Sequence, residues 1–209
     1  MEPMFLPQVE DPAEASGAYT SILQAMAAAG GPVSQIWYLF AFKPRATDHL
    51  LRFTQEVMRG PSPLSPGLRE LIGAYTSANN QCPYCRNSHA GAAATLLDDE
   101  PKVWAAVRDL ESSPLAEPEK ALLRFVAKVT QRPYEIVRED VDVLHQHGWS
   151  DEAIYDAITV SALFNFYNRW VSASGVQTLP DDVHRERGRS LAEHGYLLQV
   201  GLSEAPEGT

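Results

Sequence analysis

Apolar residues recur at three- and four-residue spacing along most of this chain, and no stretch sustains the period-two alternation of a half-buried strand. Glycine and proline fall between segments of helical length. The pattern predicts a first helix over about Ser16–Ala29, stopped by Gly30-Gly31-Pro32 and followed by a second short segment. A helix over about Ala46–Arg59 should end at Gly60-Pro61. Ser65-Pro66 then supplies an N-cap hydroxyl followed by proline at the first helical position. The helix it opens carries Leu68, Leu71, Ile72 and Tyr75 on one face and ends near Asn79-Asn80. Cys82-Pro83 repeats that kind of start, and the alanine-rich run to Leu97 favours helix.

Further helices are expected at about Pro101–Leu110, Pro118–Gln131, Ile136–His147, Asp151–Ser174 and Asp181–His194. Gly148, Gly175 and Gly195 stand where left-handed C-terminal caps belong. Ser150 is a candidate cap, with Asp151 and Glu152 at the positive end of the following dipole. That helix is apolar nearly all round, which places it in the interior or at a subunit contact. The polar tail from Ser203 to Thr209 is expected to fray. The fold class that follows is all-α, a bundle built around a helical hairpin carrying the two cysteines. One domain over 1–209 is expected. Leu64-Ser-Pro-Gly-Leu-Arg-Glu and Leu115-Ala-Glu-Pro-Glu-Lys-Ala hint faintly at two related halves, 1–100 and 101–209.

With 209 residues, 44% hydrophobic and 21% charged, the chain can bury a sizeable core. Its formal net charge of −10 argues against nucleic acid and against anionic membrane surfaces as partners. The uncharged run from Ala15 to Phe42 is interrupted by polar residues and by Gly30-Gly31-Pro32, so a membrane span is not expected. Met1-Glu-Pro-Met-Phe-Leu-Pro lacks the basic segment and apolar run of a signal peptide. Two cysteines are too few for a secreted disulfide scaffold, and a reducing cytoplasm is the expected home.

Those cysteines carry the candidate chemistry. They form Cys82-Pro-Tyr-Cys85, with His89 four residues after the second and Glu70 twelve before the first. With Cys82 as N-cap, the free amides of the first turn and the helix dipole favour thiolate, the nucleophilic form. Cys85 and His89 at i, i+4 share a helical face, where an imidazole can take or return a proton. If the helices on either side of Gln81 form an antiparallel hairpin, Glu70 lies roughly 15 Å below the turn and His89 about 11 Å below it. A carboxylate at that depth can meet and orient the imidazole. Structural zinc could in principle use Cys82, Cys85, His89 and Glu70, but such sites usually draw on two ligand pairs from separate segments. No metal and no cofactor is expected.

The pattern Glu70-x11-Cys82-x2-Cys85-x3-His89 on an all-helical chain resembles the carboxymuconolactone decarboxylase superfamily. Within it the chain is most similar to AhpD-like alkylhydroperoxidases of the peroxidase-related subgroup. The motif spans about twenty residues; the helix order and Phe164-Asn-Phe-Tyr-Asn-Arg169 resemble that subgroup more loosely. The resemblance implies an AhpD-like helical bundle that forms homo-oligomers. It implies Cys85 as the peroxidatic cysteine, Cys82 as the resolving one, and Glu70 with His89 as the proton relay. It implies a hydroperoxide substrate and an external dithiol, lipoyl-protein or thioredoxin-like reductant. AhpD carries a histidine just before the second cysteine, whereas this chain has Tyr84, a phenol that cannot shuttle protons at neutral pH. Two other readings share the fold: a lactone-acid enzyme of the decarboxylase kind, and a thiol redox sensor without turnover.

The remaining candidates read as structural. His145 and His147 point in different directions on the last turn before Gly148, where histidine complements a helix C-terminus. His194 is read the same way, and His49 and His184 as solvated. Asn165, Asn168 and Arg169 are read as stabilising a subunit interface, with substrate contact as the alternative. Trp37, Tyr38, Phe40 and Phe42 read as core or oligomer contact, with an apolar pocket wall as the alternative.

Overall fold

The computed structural model describes residues 1–30 and 32–198, and the tail expectation for 203–209 falls outside them. The described residues form eleven α-helices, two 3-10 turns and no strand. In chain order these are α1 (Pro7–Glu10), α2 (Tyr19–Ala28), α3 (Ile36–Phe42), α4 (Pro44–Arg59), α5 (Pro66–Asn79), α6 (Pro83–Leu97), α7 (Glu100–Arg108), α8 (Glu117–Gln131), α9 (Arg138–Gln146), α10 (Asp151–Ala173) and α11 (Asp181–Leu198). Proline opens several of them: Pro44, Pro66, Pro83, Pro101 and Pro118 all sit in the first two positions, where no intrahelical acceptor waits for the missing N–H.

Most expected helices appear within a few residues of their forecast ends. The first starts three residues late, because Gly17 takes a positive φ of 72°. The short segment after Pro32 is a full helix, α3, separated from α4 only by Lys43 at φ −137°. Ile136 and Val137 stay outside α9, held extended after a 3-10 turn over Pro133–Glu135. Gly195, expected as a cap, does leave helical geometry at φ 66° and ψ −162°, but helix resumes beyond it to Leu198.

α5 and α6 form the central antiparallel hairpin, and α11 lies against α6, α10 against α5. Three residues, Asn80 to Cys82, join α5 to α6. Gln81 adopts a left-handed φ of 55°, so its amide donates to Ala78 O at 3.0 Å and that of Cys82 to Ser77 O at 2.9 Å. Those two bonds are the paired closure of a Schellman motif, here built on a residue other than glycine. Cys82 then serves at once as the end of one helix and the N-cap of the next, which seats it at the hairpin tip. Asn80 ties the tip to α10, its amide donating to Asn165 Oδ1 at 3.0 Å and Asn168 Oδ1 at 2.9 Å.

Close approach of α6 and α11 depends on two glycines. A Cβ on Gly188 would stand 2.5 Å from the backbone carbon of Gly91. Gly73 does the same for a side chain: a Cβ there would lie 2.7 Å from the ring of Phe164. The core is continuous through α2–α6, α8, α10 and α11, with Leu71, Ile72, Leu122, Leu123, Val160 and Phe164 fully enclosed.

Candidate active site

Glu70 is fully buried midway along α5 and faces α6. Its Oε2 lies 2.6 Å from His89 Nδ1, so the contact foreseen from hairpin geometry is direct. A carboxylate can only accept, so Nδ1 carries the proton and the lone pair of the ring sits on Nε2. Two residues outside the sequence motif complete the surroundings of Glu70. Arg59 Nη2 donates to Oε1 at 2.6 Å and Tyr196 Oη donates to the same oxygen at 3.0 Å. The Arg59 guanidinium also lies over the Tyr196 ring, 5.2 Å from its centroid. Burial alone would raise the Glu70 pKa, but the combined attraction of His89 and Arg59 outweighs it and holds the carboxyl below its ordinary range. The His89 ring is fixed on two sides, edge-to-face with Phe164 at 4.4 Å and stacked on Tyr196 at 6.3 Å.

Both cysteines are free thiols and both are buried, Cys82 at 1% and Cys85 at 3% exposure. Their environments differ. Both belong to an apolar cluster with Met4, Leu39, Val171 and Leu179, but only Cys85 also borders a cavity. Cys85 lines a cavity of about 260 Å³ between α2, α3, α4, α6, α10 and α11, and His89 lines the same cavity. Its walls are otherwise mostly apolar, from Met26, Trp37, Phe40, Leu51, Phe164 and their neighbours. Phe40 and Trp37 therefore do two jobs: they pack against the Tyr19 ring in the core and they wall this space.

Charge does not sit where a thiolate on Cys85 would require. The Cys85 thiol donates to the Cys82 sulfur, and with further donors at the helix start and from Ser172 and Asn168 this lowers the Cys82 pKa to about 6. Cys85 is pushed well above its ordinary value, first by holding that proton and then by burial. The expectation that the helix start and His89 hold Cys85 as thiolate is thereby corrected: two adjacent buried thiols share one proton, and the negative charge goes to the one at the N-cap.

Three other readings change. His184, expected to be solvated, is 2% exposed. Its Nε2 accepts from the Leu179 amide at 3.0 Å, so Nδ1 carries the proton toward Ser88 Oγ, also at 3.0 Å. Burial, aided by Arg187, lowers its pKa to about 4 and keeps it neutral. Asn168, read as an interface residue, is spent within the chain, donating to Ser77 Oγ at 2.9 Å while accepting from Asn80. The zinc reading loses its fourth ligand, because both Glu70 oxygens are engaged by Arg59, Tyr196 and His89. Among the described residues no three histidine, cysteine or acidic side chains converge as a ligand set.

Other placements agree with the residue-level reading. Tyr84 is buried, hydrogen-bonded to Ser34 Oγ, and burial raises its pKa to about 12. His145 pairs with Asp151 at 2.8 Å, and His194 reaches Ser190 O at 3.1 Å. His49 is exposed. No helix among the described residues is long and apolar enough to cross a membrane. Nothing in the sequence pattern singled out Arg59, Tyr196 or Ser88. They reach the site from elements 11 or more residues from Glu70, or in the case of Ser88 through the buried His184.

The carboxymuconolactone decarboxylase family matches residues 44–128, which contain α4 to α7, the hairpin and the whole Glu70–His89 motif. Over those residues the chain is similar to that family. An uncharacterized peroxidase-related protein from Silicibacter sp. TM1040 superposes with a TM-score of 0.74 at 28% identity, covering 90% of this chain and 97% of that one. An uncharacterized peroxidase-related protein from Ralstonia eutropha JMP134, described as an alkylhydroperoxidase AhpD core, gives 0.76 at 24% identity over 90% and 98%. A protein of unknown function from Agrobacterium tumefaciens, named for AhpD antioxidant defence, gives 0.56 at 23% over 66% and 92%. The last two likenesses bear on fold alone. No curated protein matches the sequence significantly.

Proposed function

We propose that this protein is a thiol-dependent peroxidase that reduces hydroperoxides through the Cys82–Cys85 pair. One observation carries the reading: Cys85 and His89 line the same apolar cavity, while the far side of His89 is held by the buried Glu70 carboxylate. A hydroperoxide in the cavity meets Cys85 and not Cys82. In the resting dithiol the shared proton is on Cys85, so the first event is its transfer along the existing S–H···S contact to Cys82. That leaves the thiolate on the cavity-facing sulfur with no change in net charge.

The Cys85 thiolate then attacks the distal peroxide oxygen. An S–O bond forms, the O–O bond breaks, and the departing alkoxide takes a proton drawn from solvent through His89 to leave as alcohol. His89 can pass protons because Glu70 fixes its tautomer and steadies the charged ring. Cys82 attacks the Cys85 sulfenic sulfur and releases hydroxide, which with the remaining proton leaves as water; a disulfide results before further oxidation. An external dithiol, on a thioredoxin-like or lipoyl-bearing protein, supplies two electrons and two protons, of which the pair keeps one and solvent takes back the other. Such thiols suit a reducing compartment such as the cytoplasm. The exposed apolar residues Tyr155, Ile158 and Phe166 on α10 suit a homo-oligomer.

The test is hydroperoxide consumption with dithiothreitol or dihydrolipoamide as reductant. Wild type should turn over repeatedly, and Cys85→Ser should not. Cys82→Ser should consume about one equivalent and then accumulate over-oxidised Cys85, read by mass spectrometry. Activity surviving Cys85→Ser removes the proposed nucleophile. Stoichiometric oxidation of wild type without turnover makes the protein a sensor instead.

A further inference from the structure

The cavity beside Cys85 contains one permanently charged group among the described residues that line it, Arg187 of α11. The guanidinium is half-buried, and its partners are neutral groups. Its Nη2 reaches Met26 Sδ at 3.5 Å and Pro32 O at 3.4 Å, both long contacts to weak or neutral acceptors. It also hydrogen-bonds the Tyr84 hydroxyl and lowers that group's pKa, opposing the rise that burial imposes. No described carboxylate stands within 4.0 Å of it, although the chain has ten more acidic than basic side chains. Among the described residues Arg59 pairs with Glu70, while Arg124, Arg132 and Arg185 pair at the surface. Arg187 instead keeps its charge turned to an apolar space.

We infer that this cavity takes an organic hydroperoxide that also bears a carboxylate, with the carboxylate on Arg187 and the peroxide group at Cys85 and His89. The inference rests on the peroxidase reading above and adds the substrate class. A guanidinium presents a planar fork that matches a carboxylate with two parallel hydrogen bonds, and partial burial strengthens the pair. The volume agrees. At roughly 30 Å³ per water-sized group, about 260 Å³ holds some eight or nine such groups, far more than hydrogen peroxide fills. Walls of Trp37, Phe40, Leu51 and Phe164 would have to stay wetted around so small a molecule. A hydrocarbon body of medium length displaces that water, in a site built like most small-molecule pockets: apolar walls with a few convergent polar groups.

The experiment compares kcat/KM for a medium-chain fatty-acid hydroperoxide, its methyl ester and hydrogen peroxide, in wild type and Arg187→Gln. Wild type should prefer the acid to the ester by at least about tenfold, the scale of one charge-assisted hydrogen-bond pair. In Arg187→Gln the acid-to-ester ratio should fall toward one, and Arg187→Lys should restore part of it. In parallel, decanoate binding is measured by titration of indole fluorescence, and Arg187→Gln should weaken it by about tenfold. An acid-to-ester ratio near one in wild type, or one unchanged by Arg187→Gln, overturns the inference while leaving the peroxidase reading standing. Decanoate bound through Arg187 without reduction of any hydroperoxide does the reverse: the carboxylate site stands and the peroxidase reading falls.

Discussion

Glu70→Gln is the sharpest test of how the site is held together. The Glu70 side chain has no exposure, and its partners Arg59 and His89 have 12% and 14%. The variant keeps the shape but removes the charge. Its amide has one carbonyl oxygen and one NH₂, while Arg59 and His89 Nδ1–H both need an acceptor. Whichever way the amide turns, one donor faces another donor. Removing one member of a buried ion pair costs about 3–5 kcal/mol. Arg59 retains its bonds to Met58 O and Leu191 O, and the amide still satisfies one partner, so the loss belongs near about 3 kcal/mol. For a chain of this length each kcal/mol moves Tm by about 2–4 °C, giving a fall of about 6–12 °C. Urea unfolding at pH 7 should show a lower midpoint at unchanged slope.

The difference also has a defined pH dependence. The folded Glu70 pKa lies below its ordinary value, so its stabilisation is complete above about pH 4.3 and is lost as pH falls through the folded pKa. The gap between wild type and Glu70→Gln should therefore close in strong acid. A gap under about 1 kcal/mol at neutral pH, or one that does not vary with pH, would refute the claim that an ionised Glu70 anchors Arg59 and His89.

Three further outcomes follow from the same geometry. His184 has a folded pKa of about 4 against 6.5 unfolded, so its neutral form stabilises fully above pH 6.5 and up to about 3 kcal/mol is lost as pH falls to 4. Urea unfolding across that window should show a smaller slope in His184→Gln, and parallel wild-type and variant curves would sink this. Thiolate absorbance should rise by one thiolate equivalent per chain as pH rises through about 6, with the second thiol still protonated well above 9. Cys85→Ser should shift the remaining midpoint upward, since the serine hydroxyl is a poorer match for the sulfur it must stabilise; an unmoved midpoint would deny the shared proton. Gly188→Ala should cost about 1–3 kcal/mol, because its Cβ would strike the Gly91 backbone, which cannot swing aside as a side chain can. A neutral thermal shift would mean that α6 and α11 are not held at this separation.

Local information was enough for the helices and for the hairpin that carries the motif. Proline at helix starts, hydroxyl and acidic caps, and glycine at ends act within a turn of chain, so they read directly from Ser65-Pro66, Cys82-Pro83 and Ser150-Asp151. The Glu70–His89 contact was legible for the same reason, since two helices joined by a three-residue turn have a fixed register. What lay beyond reach was everything that depends on a third helix. Arg59 and Tyr196 complete Glu70 from α4 and α11, and Arg187 enters the cavity from α11. Nothing in the spacing of those residues marks them, because their neighbours are neighbours only after α11 folds across α6.

The division has one physical cause. Sequence alone determined which residue types stand at a helix start and which pair shares a face, because backbone hydrogen bonding and the 3.6-residue turn act over short range. Tertiary packing decided which sulfur carries the charge and which histidine is buried. Those properties depend on solvent removed and on donors supplied by distant helices: Asn168 and Ser172 at Cys82, and Ser88, Thr178 and Leu179 around His184. A thiol's spacing from a histidine can be counted along the chain, but its proton goes where burial and the assembled donors make it most stable.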